Sequence, residues 1–235
     1  KKWILTAARN ARKMGITSVH DAWQDRNTVD AIKELIKEKN FPIRCYGMLA
    51  SNDDDLYDQF PVVLFDIDET MISSDGAGRR AIGKALARLF GGDISTSKVS
   101  MSGKTDPQIL TEILKHCRME DQEIQSRIKE ILDIYITLLQ DEIDKSGSYI
   151  IHRGIPELLD LLHNHEKVFL GLLTGNIEKG ARMKLEPFNL NRYFPIGAYG
   201  SDSASRMDLP EIATGRGRQH FKVDFRPEQV TIIGM

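Results

Sequence analysis

Asp66, Asp68, Glu69 and Thr70 crowd three acids and a hydroxyl into the end of the segment PVVLFDIDET, residues 61–70. Carboxylates massed so closely repel one another unless a cation neutralises them, and a hard divalent ion with oxygen ligands, Mg²⁺ above all, would do so. Asp66 and Asp68 share one side of an extended chain, because residues two apart do. One such carboxylate can attack a phosphorus atom. The other can protonate the leaving oxygen and later deprotonate water. The plainer alternative is an acidic loop in which one acid caps the next helix. Context favours the chemistry. Val62–Phe65 is a short apolar run, β-branched and aromatic, of the kind that forms a buried parallel strand. A Gly-bearing loop over residues 73–78 follows it. Ligands of open α/β sheets bind just beyond the carboxyl ends of such strands.

A second strand of this type spans residues 167–173, KVFLGLL, and ends in Thr174, Gly175 and Asn176 at a helix start. A hydroxyl and free N–H groups at a strand end and helix N-terminus make a cradle for phosphate. Lys184 follows in the helical stretch GARMKLEPF, where a single lysine is by itself a surface residue. Residues 193–202 read as a further short strand and turn that brings Ser201 and Asp202 towards the site, with Asp202 a poor metal ligand. Leu209–Phe221 reads as a helix and residues 229–233, QVTII, as a third buried strand. Before the second strand, Gly154-Ile155-Pro156 opens a helix with Pro in its first turn. His163 and His165 suit the C-terminal end of that helix and are not read as metal ligands.

The stretch FDIDET resembles the first motif of the haloacid dehalogenase superfamily, most of whose members are Mg²⁺-dependent phosphatases. The resemblance runs from about residue 61 to the last residue. It implies Asp66 as nucleophile and Asp68 as general acid and base, with Mg²⁺ held by the Asp66 carboxylate and the Asp68 backbone carbonyl. It implies that Thr174, in the second motif, binds the transferring phosphoryl group with Gly175 and Asn176, that Thr70 assists, and that Lys184, as third motif, neutralises phosphate and nucleophile. The family's fourth motif is a Gly-Asp pair at the end of the third strand, with another acid shortly after. Here Gly234 is followed by Met235. A Mg²⁺ ion with Asp66 as its single carboxylate would bind weakly. The expectation is therefore a phosphate-monoester hydrolase of a small phosphorylated metabolite, acting through an aspartyl-phosphate. A catalytically incomplete remnant or fusion product and a phosphomutase stand as the alternatives, with a hydrolase activity of the N-terminal piece, whose phrase MGITSVHDA resembles an amidohydrolase, ranked below them.

These residues need elements to hold them. Between the two motif strands, Ala77–Phe90, residues 106–117 and residues 120–143 have apolar residues every three or four positions, as amphipathic helices do. In the first, Ile82, Leu86 and Leu89 point inward. In the second, Asp106 is the expected cap, over buried Ile109, Leu110, Ile113 and Leu114. Together they look like the helical cap that many phosphatases of this superfamily insert, which closes over the site and selects substrate. Lys104, on the loop Ser102-Gly103-Lys104, is its candidate contact to an anionic substrate, and Arg79 shares that reading with Arg80. Each is equally a solvated loop or helix cation.

Residues 1–50 read as helix, strand, helix, strand: Trp3, Ile4, Ala7, Ala8, Ala11 and Met14 on one face with Gly15 as stop, then residues 16–20. A helix capped by Asn27 and a strand over residues 43–50 follow. The phrase MGITSVHDA and the strand near CYGML look like an internal portion of the amidohydrolase superfamily, whose two-histidine metal motif is absent. A whole (β/α)₈ barrel needs on the order of 250 residues, and His20-Asp21 is read as a loop feature. The polar, acidic residues 51–60 read as a linker. The fold class expected is α/β: an incomplete Rossmann-like parallel sheet (61–76 and 151–235) with an inserted helical cap (77–150), preceded by an αβαβ fragment (1–50).

Composition is ordinary for a soluble globular protein: 235 residues, 41% hydrophobic and 28% charged, with a net charge of −2 that gives no case for nucleic-acid or membrane partners. Cys45 and Cys117 are expected to be free core thiols of a reducing, cytoplasmic protein.

Overall fold

A computed structural model describes residues 1–13, 18–24, 26–42, 44–49, 61–92, 94–226 and 229–234, with side chains described for these apart from 18–24, 26 and 44–49. The expected stop at Gly15, the linker over 51–60 and the side chains of His20, Asp21 and Cys45 lie outside this set. The chain divides into two compact units, Lys1–Phe60 and Pro61–Met235. Among the described residues no helix is long and apolar enough to cross a membrane.

The first unit runs α1 (Lys2–Lys13), β1 (Ser18–Gln24), α2 (Arg26–Lys37), β2 (Arg44–Leu49). β1 and β2 pair in parallel, with Ser18 opposite Arg44 and His20 opposite Tyr46. The order matches expectation, but three details do not. His20 and Asp21 sit within β1 rather than at its end. α2 begins at Arg26, so Asn27 is inside the helix and not its cap. Trp3 is exposed, and α1 buries Ala8 instead. Arg9 and Arg12 of α1 donate to Asn40 and to the Pro42 carbonyl after α2, which fixes the two helices' ends together.

The second unit is built on β3 (Val62–Phe65), β6 (Phe169–Leu173), β7 (Ile196–Ala198) and β8 (Val230–Ile233), a parallel sheet in the order β7-β6-β3-β8. Val62 and Leu64 turn one way, onto Leu173, Ile196, Ala198, Leu209, Ala213 and Phe225. Phe65, on the other face, meets Phe194 at 5.9 Å between ring centres. A strand buried on both faces must be apolar throughout, and all four residues of β3 are. Helices α6 (Ile155–His163), α7 (Glu178–Leu185) and α8 (Leu209–Phe221) complete this layer. The expected helix over 209–221 and the Pro-initiated helix at 155 are present as read.

Between β3 and α6 the chain leaves through β4 (Ile72–Ser73) and returns through β5 (Ile150–Ile151), two short antiparallel strands that the sequence did not suggest. They bracket α3 (Ala77–Phe90), α4 (Asp106–His116) and α5 (Asp121–Asp144). These helices close on their own core, with Ile82, Leu86, Ile109, Leu110, Ile113, Leu114, Ile131 and Tyr135 buried together. Asp106 is not the cap of α4. Thr105 is, with its Oγ1 accepting the Gln108 N–H at 3.2 Å, and Asp106 is buried. Cys117 ends α4 in solvent, not in the core.

Candidate active site

The carboxyl ends of β3 and β6 open into a cavity of about 310 Å³ whose other wall is the helical insert. Asp66, Asp68, Thr174, Gly175, Asn176 and Lys184 line it, as do Arg79 and Lys104, so the structure gathers eight of the nine residues expected to act there. The ninth, Thr70, is not among the lining residues. Its Oγ1 is buried and has no hydrogen-bond partner among the described residues.

Asp66 follows β3 directly. Its backbone N–H donates to the Ile233 carbonyl of β8 at 2.8 Å, and its Oδ1 accepts the Ile67 N–H at 2.8 Å. Its Oδ2 is held at 2.6 Å by Arg206. Burial pushes the Asp66 carboxyl up from its ordinary value, and Arg206 works against that shift. Arg206 sits in a short 3₁₀ turn, Arg206–Asp208, leading into α8. The sequence reading missed it, because a lone arginine in the polar stretch SDSASRMD carries no periodic or motif signal.

Asp68 is answered by Lys184, not Asp66 as the resemblance implied. The ammonium lies 2.8 and 2.7 Å from its two oxygens and 2.6 Å from the Asn176 Oδ1. Asn176 Nδ2 in turn donates to Asp68 at 2.7 Å and to Thr174 Oγ1 at 2.9 Å, and Ser74 donates to Asp68 at 3.1 Å. Burial would raise the Asp68 carboxyl, but the charge and hydrogen bonds of Lys184, with Asn176 and Ser74, hold it below the ordinary carboxylate range. Each catalytic candidate thus has its own cation, both side chains supplied from beyond β6.

The insert docks onto the β6 end through backbone. The Asp106 N–H donates to the Gly175 carbonyl at 2.8 Å, its Oδ2 accepts the Ile177 N–H at 2.9 Å, and Thr105 Oγ1 donates to the Ala204 carbonyl at 2.7 Å. A Cβ on Gly175 would overlap the Lys104 carbonyl, so this position is glycine because the insert's backbone touches it. Burial, against the charge of Lys184, pushes the Asp106 carboxyl up to about 6. Lys104 and Arg79 line the cavity but are committed: Lys104 pairs with Glu112, and Arg79 donates to the Thr96 and Val99 carbonyls. Ser201 and Asp202 do not face this cavity. Ser201 accepts the Glu178 N–H at 3.2 Å and Asp202 pairs with Arg216 at 2.6 Å.

The expected Mg²⁺ ligands can be tested against this donor set. The Asp66 carboxylate has Oδ2 on Arg206 and Oδ1 on the Ile67 N–H, the Asp68 backbone carbonyl would add one neutral oxygen, and the described residues contain no group of three His, Cys, Asp or Glu placed to hold a metal. These donors do not by themselves make up a divalent-cation site.

Residues 63–209 match the family described as haloacid dehalogenase-like hydrolase. The chain belongs to this family. Among solved structures, two proteins described as predicted phosphoglycolate phosphatases share its fold. That of Lactobacillus plantarum has a TM-score of 0.54 at 17% identity, with 74% of this chain and 77% of that one covered. That of Haemophilus somnus has a TM-score of 0.52 at 17% identity, over 74% and 76%. CbbY from Rhodobacter sphaeroides, solved in complex with phosphate, has a TM-score of 0.54 at 16% identity, over 74% and 76%. No curated protein matches the chain. The amidohydrolase resemblance of residues 1–50 has no counterpart in these comparisons.

Proposed function

We propose that this haloacid dehalogenase-like hydrolase is a phosphatase that cleaves small phosphate monoesters with Asp66 as nucleophile and Asp68 as general acid and base. The observation that carries the reading is the pair of carboxylates at one strand end, each matched to a separate cation, beside a hydroxyl and amide cradle from the next strand. A dehalogenase needs no acid beside its nucleophile, so the second, elaborately held carboxylate favours phosphoryl transfer.

In this reading the helical insert is a cap. The phosphoryl group lies between Asp66 and the Thr174–Asn176 turn. Arg206 opposes the burial that raises the Asp66 carboxyl and so favours its ionised form for in-line attack at phosphorus, and the Asp66 Oδ–P bond forms as the ester P–O bond breaks. Lys184 is shared: as its ammonium turns to the phosphoryl oxygens, Asp68 loses the contact that depresses its pKa and can carry the proton that the leaving alcohol needs. The alkoxide takes that proton, and Asp68, again a carboxylate, removes one from the water that attacks the aspartyl-phosphate; as the water oxygen bonds to phosphorus the Asp66 Oδ–P bond breaks, releasing phosphate and restoring the Asp66 carboxylate. Phosphatases of this superfamily generally use Mg²⁺, but because the described donors fall short of a site, no step here is routed through the ion. The test is phosphate release from p-nitrophenyl phosphate, with Mg²⁺ supplied, by the full chain and by Asp66→Asn. Release by the wild type and none by the variant is expected. Equal rates would sink the proposal.

A further inference from the structure

The charges that line the cavity are answered unequally. Beside the β3 acids, Arg206 and Lys184 pair with Asp66 and Asp68. At the cap end both cations are spent on the protein: Arg79 on two backbone carbonyls, Lys104 on Glu112. The side chain left with an oxygen to spare is an acid, at the seam where the insert meets the β6 end. Asp106 is 6% exposed, lines the cavity, and accepts a single hydrogen bond, through Oδ2 from Ile177. Glu69 adds a second carboxylate to the lining, and Ile82, Met101 and Ile109 supply its apolar surface. In the same wall the Tyr135 hydroxyl is buried without a hydrogen-bond partner.

From this we infer that Asp106 is a specificity-determining residue that accepts a hydrogen bond from a hydroxyl on the alcohol half of the substrate, and that this half carries no carboxylate. The inference rests on the phosphatase reading and narrows its substrate class to small hydroxylated phosphate esters. A carboxylate placed at this end would lose its hydration, meet Asp106, and find no uncommitted cation to replace the water. A hydroxyl meets the opposite situation, since a buried carboxylate is among the strongest acceptors available to it. Docking alone does not call for an acid here. The carbonyl of an asparagine would accept the Ile177 N–H equally well, without the burial that drives the Asp106 carboxyl up to about 6. The charged groups facing Asp106 are Lys184, which favours its ionised form, and Asp68, which opposes it.

The likeness to phosphoglycolate phosphatases is a likeness of fold at 17% identity, and their substrate has the carboxylate that this cavity disfavours. The experiment compares sn-glycerol 3-phosphate with 2-phosphoglycolate, two esters of similar size, on the full chain with Mg²⁺ supplied. The ratio of kcat/KM is expected to favour the glycerol ester by about 10- to 100-fold, the range of one hydrogen bond to a charged group. Asp106→Asn is expected to narrow that ratio by about 10-fold or more, chiefly through a gain on phosphoglycolate once the charge is gone. A merely structural Asp106 would lower both esters alike and leave the ratio where it was, and that result overturns the inference. So does a wild-type preference for phosphoglycolate, which decides the matter even if the variant fails to fold. p-Nitrophenyl phosphate separates the two levels. If it is hydrolysed while phosphoglycolate is preferred, only the inference falls. If no ester is hydrolysed, the phosphatase reading falls with it.

Discussion

The two ends of one cavity are built on opposite plans. At the β3 and β6 strand ends the two aspartates each have a counter-charge within 2.8 Å: Asp66 with Arg206, Asp68 with Lys184. At the insert end the cations have been turned inward on the protein and Asp106 keeps an oxygen to spare. The first plan is preorganisation, in which charges stand where charge will develop and need little reorganisation during reaction. The second is selection, in which an unanswered group favours some guests and rejects others. A fourth carboxylate serves as control. Glu142 of α5 is buried with Arg80 Nε at 2.7 Å and the Lys84 ammonium upon it, as fully answered as Asp68 but away from the cavity.

Four substitutions would break or sharpen this contrast. Asp66→Asn removes the nucleophile and should lower kcat by about a thousand-fold or more with the circular-dichroism spectrum unchanged. Turnover near that of the wild type would place the chemistry elsewhere. Arg206→Ala should lower kcat/KM by about 10²–10³-fold, as loss of a preorganised electrostatic group does. It should also move the acid limb of the pH–rate profile upward. Burial already raises the Asp66 carboxyl and Arg206 opposes this, so without Arg206 the nucleophile holds its proton to higher pH. A uniform loss at every pH would mean that Arg206 acts on something other than Asp66.

Asp106→Asn probes the cost of the insert end. The folded-state pKa of Asp106, about 6, lies above its ordinary 3.8, so the stability tied to its proton is full below pH 4 and lost as pH rises through 6. The variant carries no such charge. Relative to its effect at pH 4, it should therefore gain up to about 3 kcal/mol at pH 7.5 by urea unfolding, at 1.36 kcal/mol per pKa unit. A gain independent of pH would refute the assignment of that cost to the carboxylate's charge. The smallest change is expected from Glu142→Ala, which should destabilise by about 2 kcal/mol by losing hydrogen bonds to two half-exposed cations. The kcat of the folded enzyme should stay as it was, and a drop in it would show that the control reaches the site.

Much of this was legible in the sequence because it is periodic or contiguous. β3 with its acids, the β6 end, and helices α3, α4, α5 and α8 all declared themselves through apolar spacing. Arg206 did not, since its pairing with Asp66 is made by a 3₁₀ turn that leaves no pattern in sequence. Asp106 was visible but misread by one position. An acid at a helix start looks like a cap, and only the fold shows that Thr105 caps α4 while Asp106 reaches across to Ile177. Lys184 was singled out and does line the cavity, yet its partner could not be read, because the choice between two acids depends on the line of α7 past the strand ends. Trp3 and Cys117 show the limit of composition: apolar types on a helix face or at its end were taken as buried, and both are exposed.

The backbone at Gly234 lies against Asp66 so closely that a Cβ there would overlap the Asp66 side chain, and the Asp66 N–H is tied to Ile233. Asp66 is thus seated by a strand from the far side of this unit's sequence. Its position depends on a pairing that spans both the helical insert and the β6 region, and cutting β8 away would leave the carboxylate without the backbone that seats it.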